Sequence, residues 1–163
     1  MVIRRCTSVA SAIVEFWRSA FQGERTDWGR PMSPARILLA DDNRNFLHHV
    51  AELLESNYQV IGTVVDGGSV CAEVSRLRPD LMVLDISMGQ HSGIEIARQL
   101  RREGYAGQIV FLSIHEDPDF IGAAIGAGGR GYVFKSRMNT DLGLALSSVL
   151  SSQIFISPQG QHP

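Results

Sequence analysis

Four short apolar runs in this chain each end in a residue able to do chemistry. Arg36-Ile37-Leu38-Leu39-Ala40 is followed at once by Asp41-Asp42, and Leu81-Met82-Val83-Leu84 by Asp85. Ile109-Val110-Phe111-Leu112 delivers Ser113, and Gly131-Tyr132-Val133-Phe134 delivers Lys135. In an open parallel sheet the ligand crevice lies outside the carboxyl ends of the strands. Such a sheet would therefore bring three carboxylates, a hydroxyl and an ammonium to one rim. Two adjacent acids facing a third repel one another, so a cation must compensate. Mg²⁺ suits that role, because it takes carboxylate, water and phosphoryl oxygens. Lys135 adds a second, compact positive charge. The pattern predicts a magnesium-dependent site at which Asp85 attacks a phosphoryl group in line. Lys135 then holds one phosphoryl oxygen and Ser113 hydrogen-bonds another. Taken singly, Asp42 reads as the cap of a helix starting near Arg44, and Lys135 as a solvated lysine. The ordered set carries the signal.

The elements that position these residues alternate from Arg36 onward. Phe46, Leu47, Val50, Leu53 and Leu54 form the apolar stripe of a first helix, and Tyr58 to Val65 reads as a β-branched strand. Gly67-Gly68-Ser69 opens a second helix with Val70, Val74 and Leu77 inward, stopped by Pro79. Ile94, Ala97 and Leu100 mark a third. Asp117-Pro118, a cap followed by proline at the first helical position, starts a fourth. Asn139 or Thr140 caps a last helix carrying Leu142, Ala145, Leu146, Val149 and Leu150. Five β/α units make a right-handed, doubly wound parallel sheet the economical α/β architecture.

Before Pro34 the pattern differs. Val9, Ile13, Trp17 and Ala20 recur at helical spacing, and Gln22 to Pro34 turns polar with Gly23, Gly29 and Pro31 as breakers. The expected organisation is an extension over 1–34 (a mobile tail or a short amphipathic helix), a domain over 35–158 and a polar tail over 159–163. Met32, just before the first strand, is an alternative start.

Composition narrows the function classes. A net charge of −2 offers no electrostatic footprint for nucleic acid or anionic membrane, so direct DNA binding is not expected. A hydrophobic share of 44% suits an ordinary globular chain rather than a disordered one. No run approaches the ~20 apolar residues needed to span a bilayer. Arg4-Arg5 ahead of Val9 to Val14 is interrupted by Glu15, Trp17 and Arg18, which argues against an export signal. Cys6 and Cys71 make no metal spacing and read as incidental thiols of a reduced, cytoplasmic protein. His48 and His49 point different ways on a helix. His91 and His115 fall on loops near the rim, where His115 bears on water access, and each reads as an ordinary exposed histidine.

Five segments together resemble the CheY-like receiver domain of two-component response regulators over about three quarters of the chain. They are Ile-Leu-Leu-Ala-Asp-Asp-Asn at 37–43, Leu-Asp-Ile-Ser-Met at 84–88, Gly93-Ile94-Glu95, Leu-Ser-Ile-His-Glu-Asp at 112–117 and Gly-Tyr-Val-Phe-Lys at 131–135. The resemblance implies a flavodoxin-like (βα)5 fold with strand order 2-1-3-4-5. It implies Asp85 as phosphoacceptor, Asp42 as direct Mg²⁺ ligand, Asp41 acting through a water and the Ser87 backbone carbonyl completing the coordination. Ser113 and Tyr132 align with the switch hydroxyl and the switch aromatic, Tyr132 turning inward as Ser113 moves toward the phosphoryl group. Leu-Ser-Ile-His-Glu-Asp and Phe-Ile-Ser-Pro at 155–158 are similar to receivers carrying a LuxR-type helix-turn-helix. The sequence departs from the family at Gly89, where proline is usual, implying a looser loop. It departs again at Ile114, where a small residue is common and where isoleucine narrows access. The chain ends at Pro163, five residues past Pro158, too few for a helix-turn-helix.

Three other readings stand against this one. A haloacid-dehalogenase-type, Mg²⁺-dependent phosphatase needs a second acid two positions after its aspartate, where this chain has Ser87. A flavodoxin-like FMN binder needs a phosphate loop where Asp41-Asp42 would repel phosphate. A degenerate receiver would lack part of the site, and all five residues are present. The expectation is a phosphorelay receiver, regulatory rather than enzymatic, taking its phosphoryl group from a sensor histidine kinase or a phosphotransfer protein. It signals through protein contacts on the Pro118–Leu150 face, where a homodimer can form. The alternative output is that of a transcriptional regulator that has lost its DNA-binding domain.

Overall fold

The computed structural model describes residues 33–159, and the helix expected between Val9 and Ala20 lies outside the described residues. Elements in chain order are β1 (Arg36–Ala40), α1 (Arg44–Leu54), β2 (Gln59–Val64), a 3₁₀ turn (Gly67–Ser69) leading into α2 (Val70–Leu77), and β3 (Leu81–Leu84). A two-stranded hairpin of β4 (Ser87–Met88) and β5 (His91–Ser92) precedes α3 (Gly93–Arg102) and β6 (Gln108–Ser113). Then come α4 (Pro118–Gly126), β7 (Gly131–Phe134), a 3₁₀ turn (Lys135–Arg137), α5 (Met138–Leu150) and β8 (Phe155–Ile156). The main sheet runs β2-β1-β3-β6-β7-β8, with every pair parallel. This is the flavodoxin-like order expected for five strands, with one short strand added at the edge.

Strand alternation divides the core into two layers. Ile37, Leu39, Leu81, Val83, Val110, Leu112 and Val133 pack against α1 and α5 through Leu47, Val50, Leu142, Ala145, Leu146 and Val149. Leu38, Ala40, Met82, Leu84, Ile109, Phe111 and Phe134 pack on the other face with Val70 and Val74 of α2, Ala97 and Leu100 of α3, and Ala124 of α4. Central strands covered on both faces must be apolar throughout. Polar residues are therefore confined to their ends.

Four local features differ from expectation. Asn43, not Asp42, caps α1: its side chain accepts from the amides of Asn45 and Phe46 at 3.1 Å. The last helix starts at Met138, so neither Asn139 nor Thr140 is its cap; the Thr140 hydroxyl instead donates to Arg137 O at 3.0 Å and to Asp141 at 2.8 Å. The loop after Asp85 closes as a short hairpin. Gly89 adopts φ +63°, which proline at φ ≈ −65° cannot reach, and this lets Ser87 pair with Ser92 and Met88 with His91. Finally, β8 extends the sheet: Phe155 N–H donates to Arg130 O at 3.0 Å and Ser157 N–H to Tyr132 O at 2.8 Å.

Candidate active site

The parallel sheet delivers the predicted residues to one rim. Asp41 follows β1, Asp85 follows β3, Ser113 ends β6 and Lys135 follows β7. Backbone bonds hold two of these ends level, Asp41 N–H donating to Val64 O at 3.1 Å and Asp85 N–H to Ala40 O at 2.9 Å. Behind Asp85 the chain turns through Gly93, whose amide donates to Ile86 O at 2.7 Å. A Cβ at position 93 would stand 1.9 Å from the Asp85 carbonyl oxygen, so only glycine permits this approach.

Lys135 is the electrostatic hinge of the site. Its ammonium donates to Asp41 Oδ2 at 2.6 Å and to Asp85 Oδ2 at 3.0 Å, and it stands 4.5 Å from the centre of the Phe46 ring. Asp41 is further tied by the Asn43 amide, which donates to Oδ1 at 2.9 Å. Asp42 is exposed and makes no side-chain hydrogen bond among the described residues, which leaves its carboxylate available. Carboxylate oxygens of Asp41, Asp42 and Asp85 all lie within 4.8 Å of one another. Lys135 thus pairs with two of the three clustered acids, and Asp42 is left without a cation of its own among the described residues. Burial lifts the Asp85 carboxyl above the ordinary range; Lys135 opposes that rise and the Asp41 charge adds to it. Burial also works against the charge on Lys135, but the hydrogen bonds to Asp41 and Asp85 prevail and raise it. The donor set is all hard oxygen and carries excess negative charge, which fits Mg²⁺.

The remaining site residues form a second layer beside the acids. Ser113 is fully buried, and its Oγ accepts from the His115 amide at 3.1 Å. Tyr132, expected to turn inward, is already held inward in this structure. It is fully buried, with its hydroxyl donating to His115 O at 2.8 Å. Ser87, whose carbonyl the resemblance places on the metal, is exposed on β4. Ile114 points away into solvent, 69% exposed, so it does not narrow the crevice. His115 is the residue underrated by the sequence reading. It is half-buried, its ring stacks on Phe120 with centroids 4.2 Å apart, and its Nε2 stands 3.3 Å from Ser87 Oγ. With Ser113 and Tyr132 bonded to its backbone, His115 joins the β6–α4 loop to three elements of the site. No local spacing signals this, because Ser87 and Tyr132 lie far away in sequence.

This fold, with acids at the ends of β1 and β3 and a lysine after β7, defines a phosphoacceptor-type receiver. The response regulator receiver domain family matches residues 37–147, and the chain belongs to that family. It is 29% identical over 126 residues to a transcriptional regulatory protein of Bacillus subtilis strain 168, YvfU, covering 76% of this chain and 63% of that one. It is 32% identical over 127 residues to a protein-glutamate methylesterase/protein-glutamine glutaminase of Nocardioides sp., covering 76% of this chain and 35% of that one. Among solved structures, a LuxR-family two-component response regulator from Aurantimonas sp. SI85-9A1 superposes with a TM-score of 0.74 at 30% identity. That match covers 77% of this chain and 91% of the other. The chain thus spans about half the length of the curated relatives it matches. Among the described residues no helix is long and apolar enough to cross a membrane.

Proposed function

We propose that residues 35–158 work as a regulatory phosphoacceptor in a phosphorelay, with Asp85 receiving the phosphoryl group. The observation that supports this reading is the buried Asp85 carboxylate shared with Asp41 and Lys135 at the sheet rim. The donor is a phosphohistidine on a sensor kinase or a phosphotransfer protein. An Asp85 oxygen attacks phosphorus as the P–N bond of the donor breaks, leaving an acyl phosphate on Asp85; a proton already on the donor ring's other nitrogen lets the imidazole depart neutral.

In this reading Asp42, Asp85 and the Ser87 carbonyl would hold Mg²⁺ directly, and Asp41 would hold it through a water. The bound ion supplies charge neutralisation at the phosphoryl oxygens. The chain's own groups do the rest. Lys135 exchanges its bond to Asp85 Oδ2 for a phosphoryl oxygen while keeping Asp41. Ser113 turns its hydroxyl to a second oxygen. Because the same serine holds the His115 amide, that turn pulls on the loop that carries the Tyr132 hydroxyl and the Phe120 stack. The output is a changed surface over α4, β7 and α5, read by protein partners or by a second copy in the cytoplasm, without direct DNA contact by this domain. Self-phosphorylation and autodephosphorylation are the only reactions assigned to it.

Incubation with Mg²⁺ and acetyl phosphate tests this. Intact-mass measurement should show a single phosphoryl addition that is base-labile, absent after chelation and absent in Asp85→Asn. Addition to Asp85→Asn at the wild-type rate overturns the assignment.

A further inference from the structure

At the opposite end of the sheet from Asp85, a recess of about 440 Å³ opens between the C-terminal ends of α3 and α4. Arg101, Gln108 and Arg130 line its polar side, Ile125 and Ile154 its apolar side, and no carboxylate lines it. Arg101 is built into the fold. Its guanidinium donates to the carbonyls of Tyr105 at 2.6 Å, Gly107 at 2.8 Å and Gly128 at 2.8 Å. A guanidinium has five N–H donors in a planar fork, so two remain after these three bonds. Those three carbonyls, in the loops that follow α3 and α4, account for the position of Arg101. They do not account for its neighbours. Arg130 is exposed beside it, and neither the Arg130 side chain nor the Gln108 amide has a hydrogen-bond partner among the described residues. Burial weighs first against the charge on Arg101; Tyr105 opposes that effect and the Arg130 charge adds to it.

Two arginines and a primary amide thus converge on one cavity with unused donors and no counter-charge. An anion resolves the repulsion, and the planar fork of arginine matches phosphate bidentately. The recess is open to solvent, with an apolar wall that can take the body of a ligand and a few polar groups that can fix its orientation. Ile154, 53% exposed, and Ile125 provide that wall. We propose that this recess binds a small organic phosphate. The phosphoryl group sits between Arg101 and Arg130 with the Gln108 amide, and a ring or other apolar body lies against Ile125 and Ile154.

The test is an amide NMR titration of the whole chain, without divalent metal and at constant ionic strength. The probes are adenosine monophosphate, adenosine and sodium chloride. The proposal expects saturable shifts at Gly128, Gly129 and the Gln108 side chain with the nucleotide, at least about tenfold tighter than with adenosine. Arg130→Ala, which removes an exposed side chain with no hydrogen-bond partner among the described residues and leaves the backbone bonds of Arg130 in place, weakens the nucleotide about tenfold. Shifts centred on Lys135, linear shifts matched by sodium chloride, equal affinity for adenosine, or unchanged affinity in Arg130→Ala each overturn it. Because the readout is taken at the far end of the sheet, it is independent of whether Asp85 accepts a phosphoryl group.

Discussion

Asp85 and Asp141 are the same residue type at nearly the same depth, 5% and 4% exposed, yet their surroundings push them in opposite directions. Asp141, on α5, accepts from Arg137 Nε at 2.8 Å, Thr140 Oγ1 at 2.8 Å and Ser157 Oγ at 2.7 Å. The Arg137 bond chiefly holds its carboxyl below the ordinary range, against the effect of burial and with help from Ser157 and Thr140. Asp85 shares one lysine with Asp41, has a third carboxylate nearby, and is lifted above that range by burial. One acid is balanced within the fold and ties the segment after β8 to α5 through Ser157. The other is left short of positive charge and depends on something from outside. A buried charge with all its partners serves structure, whereas one that lacks them marks a site for chemistry.

Exchanging the two roles by mutation gives the sharpest contrast. Asp85→Asn should abolish phosphoryl incorporation while leaving metal-free stability unchanged or slightly raised. Asp141→Asn should still incorporate phosphate. Intact-mass kinetics and urea unfolding measure both. Lys135→Ala is next: it removes the only cation that pairs with Asp41 and Asp85 among the described residues. Phosphorylation should slow by roughly two orders of magnitude, as for other preorganised charge contacts to a reacting group. Metal-free stability should fall by about 2–4 kcal/mol, because two carboxylates lose their buried partner. Mg²⁺ should recover part of that loss, in proportion to its occupancy.

Asp141→Asn should cost about 2–3 kcal/mol at neutral pH, as expected when a buried, charge-assisted network loses one partner. The sign with pH follows from its lowered folded-state pKa. The contribution is fully present above the unfolded value near ~3.9 and is lost as pH falls through the folded value. The gap between wild type and variant in urea midpoints should therefore close below about pH 4, and a gap that widens there would break the comparison. Asp42→Asn should give the smallest effect. Removing the one exposed acid of the cluster should raise metal-free stability by roughly 0.5 kcal/mol, on the scale of a like-charge surface pair. The same change should abolish thermal stabilisation by Mg²⁺.

The rim was legible in the sequence because a parallel sheet converts chain order into position. A polar residue after a fully apolar strand can only emerge at its carboxyl end. Asp41, Asp42, Asp85, Ser113 and Lys135 could therefore be grouped without any contact being seen. Features depending on one residue's geometry or on distant partners were not. Asn43 and Asp42 are both cap-competent, and only backbone direction chooses between them. The β4–β5 hairpin and β8 are two-residue strands, too short to show alternation, and the hairpin depends on one positive φ at Gly89. Asp141 looks like a surface acid on an amphipathic helix until Ser157 returns beside it from the far side of α5. The position of Arg101 in its recess rests on three backbone carbonyls, which carry no residue-type signal.

The central claim is that Asp85, rather than its neighbours Asp41 and Asp42, carries the phosphoryl group. Borohydride reduces an acyl phosphate to the alcohol, so phosphorylation with acetyl phosphate and Mg²⁺, followed by reduction and peptide mass mapping, locates the modified aspartate directly. Conversion of residue 85 to homoserine, with residues 41 and 42 unchanged, is the result predicted here. Homoserine at 41 or 42, or reduction at no aspartate despite a phosphoryl group on the intact chain, would contradict it.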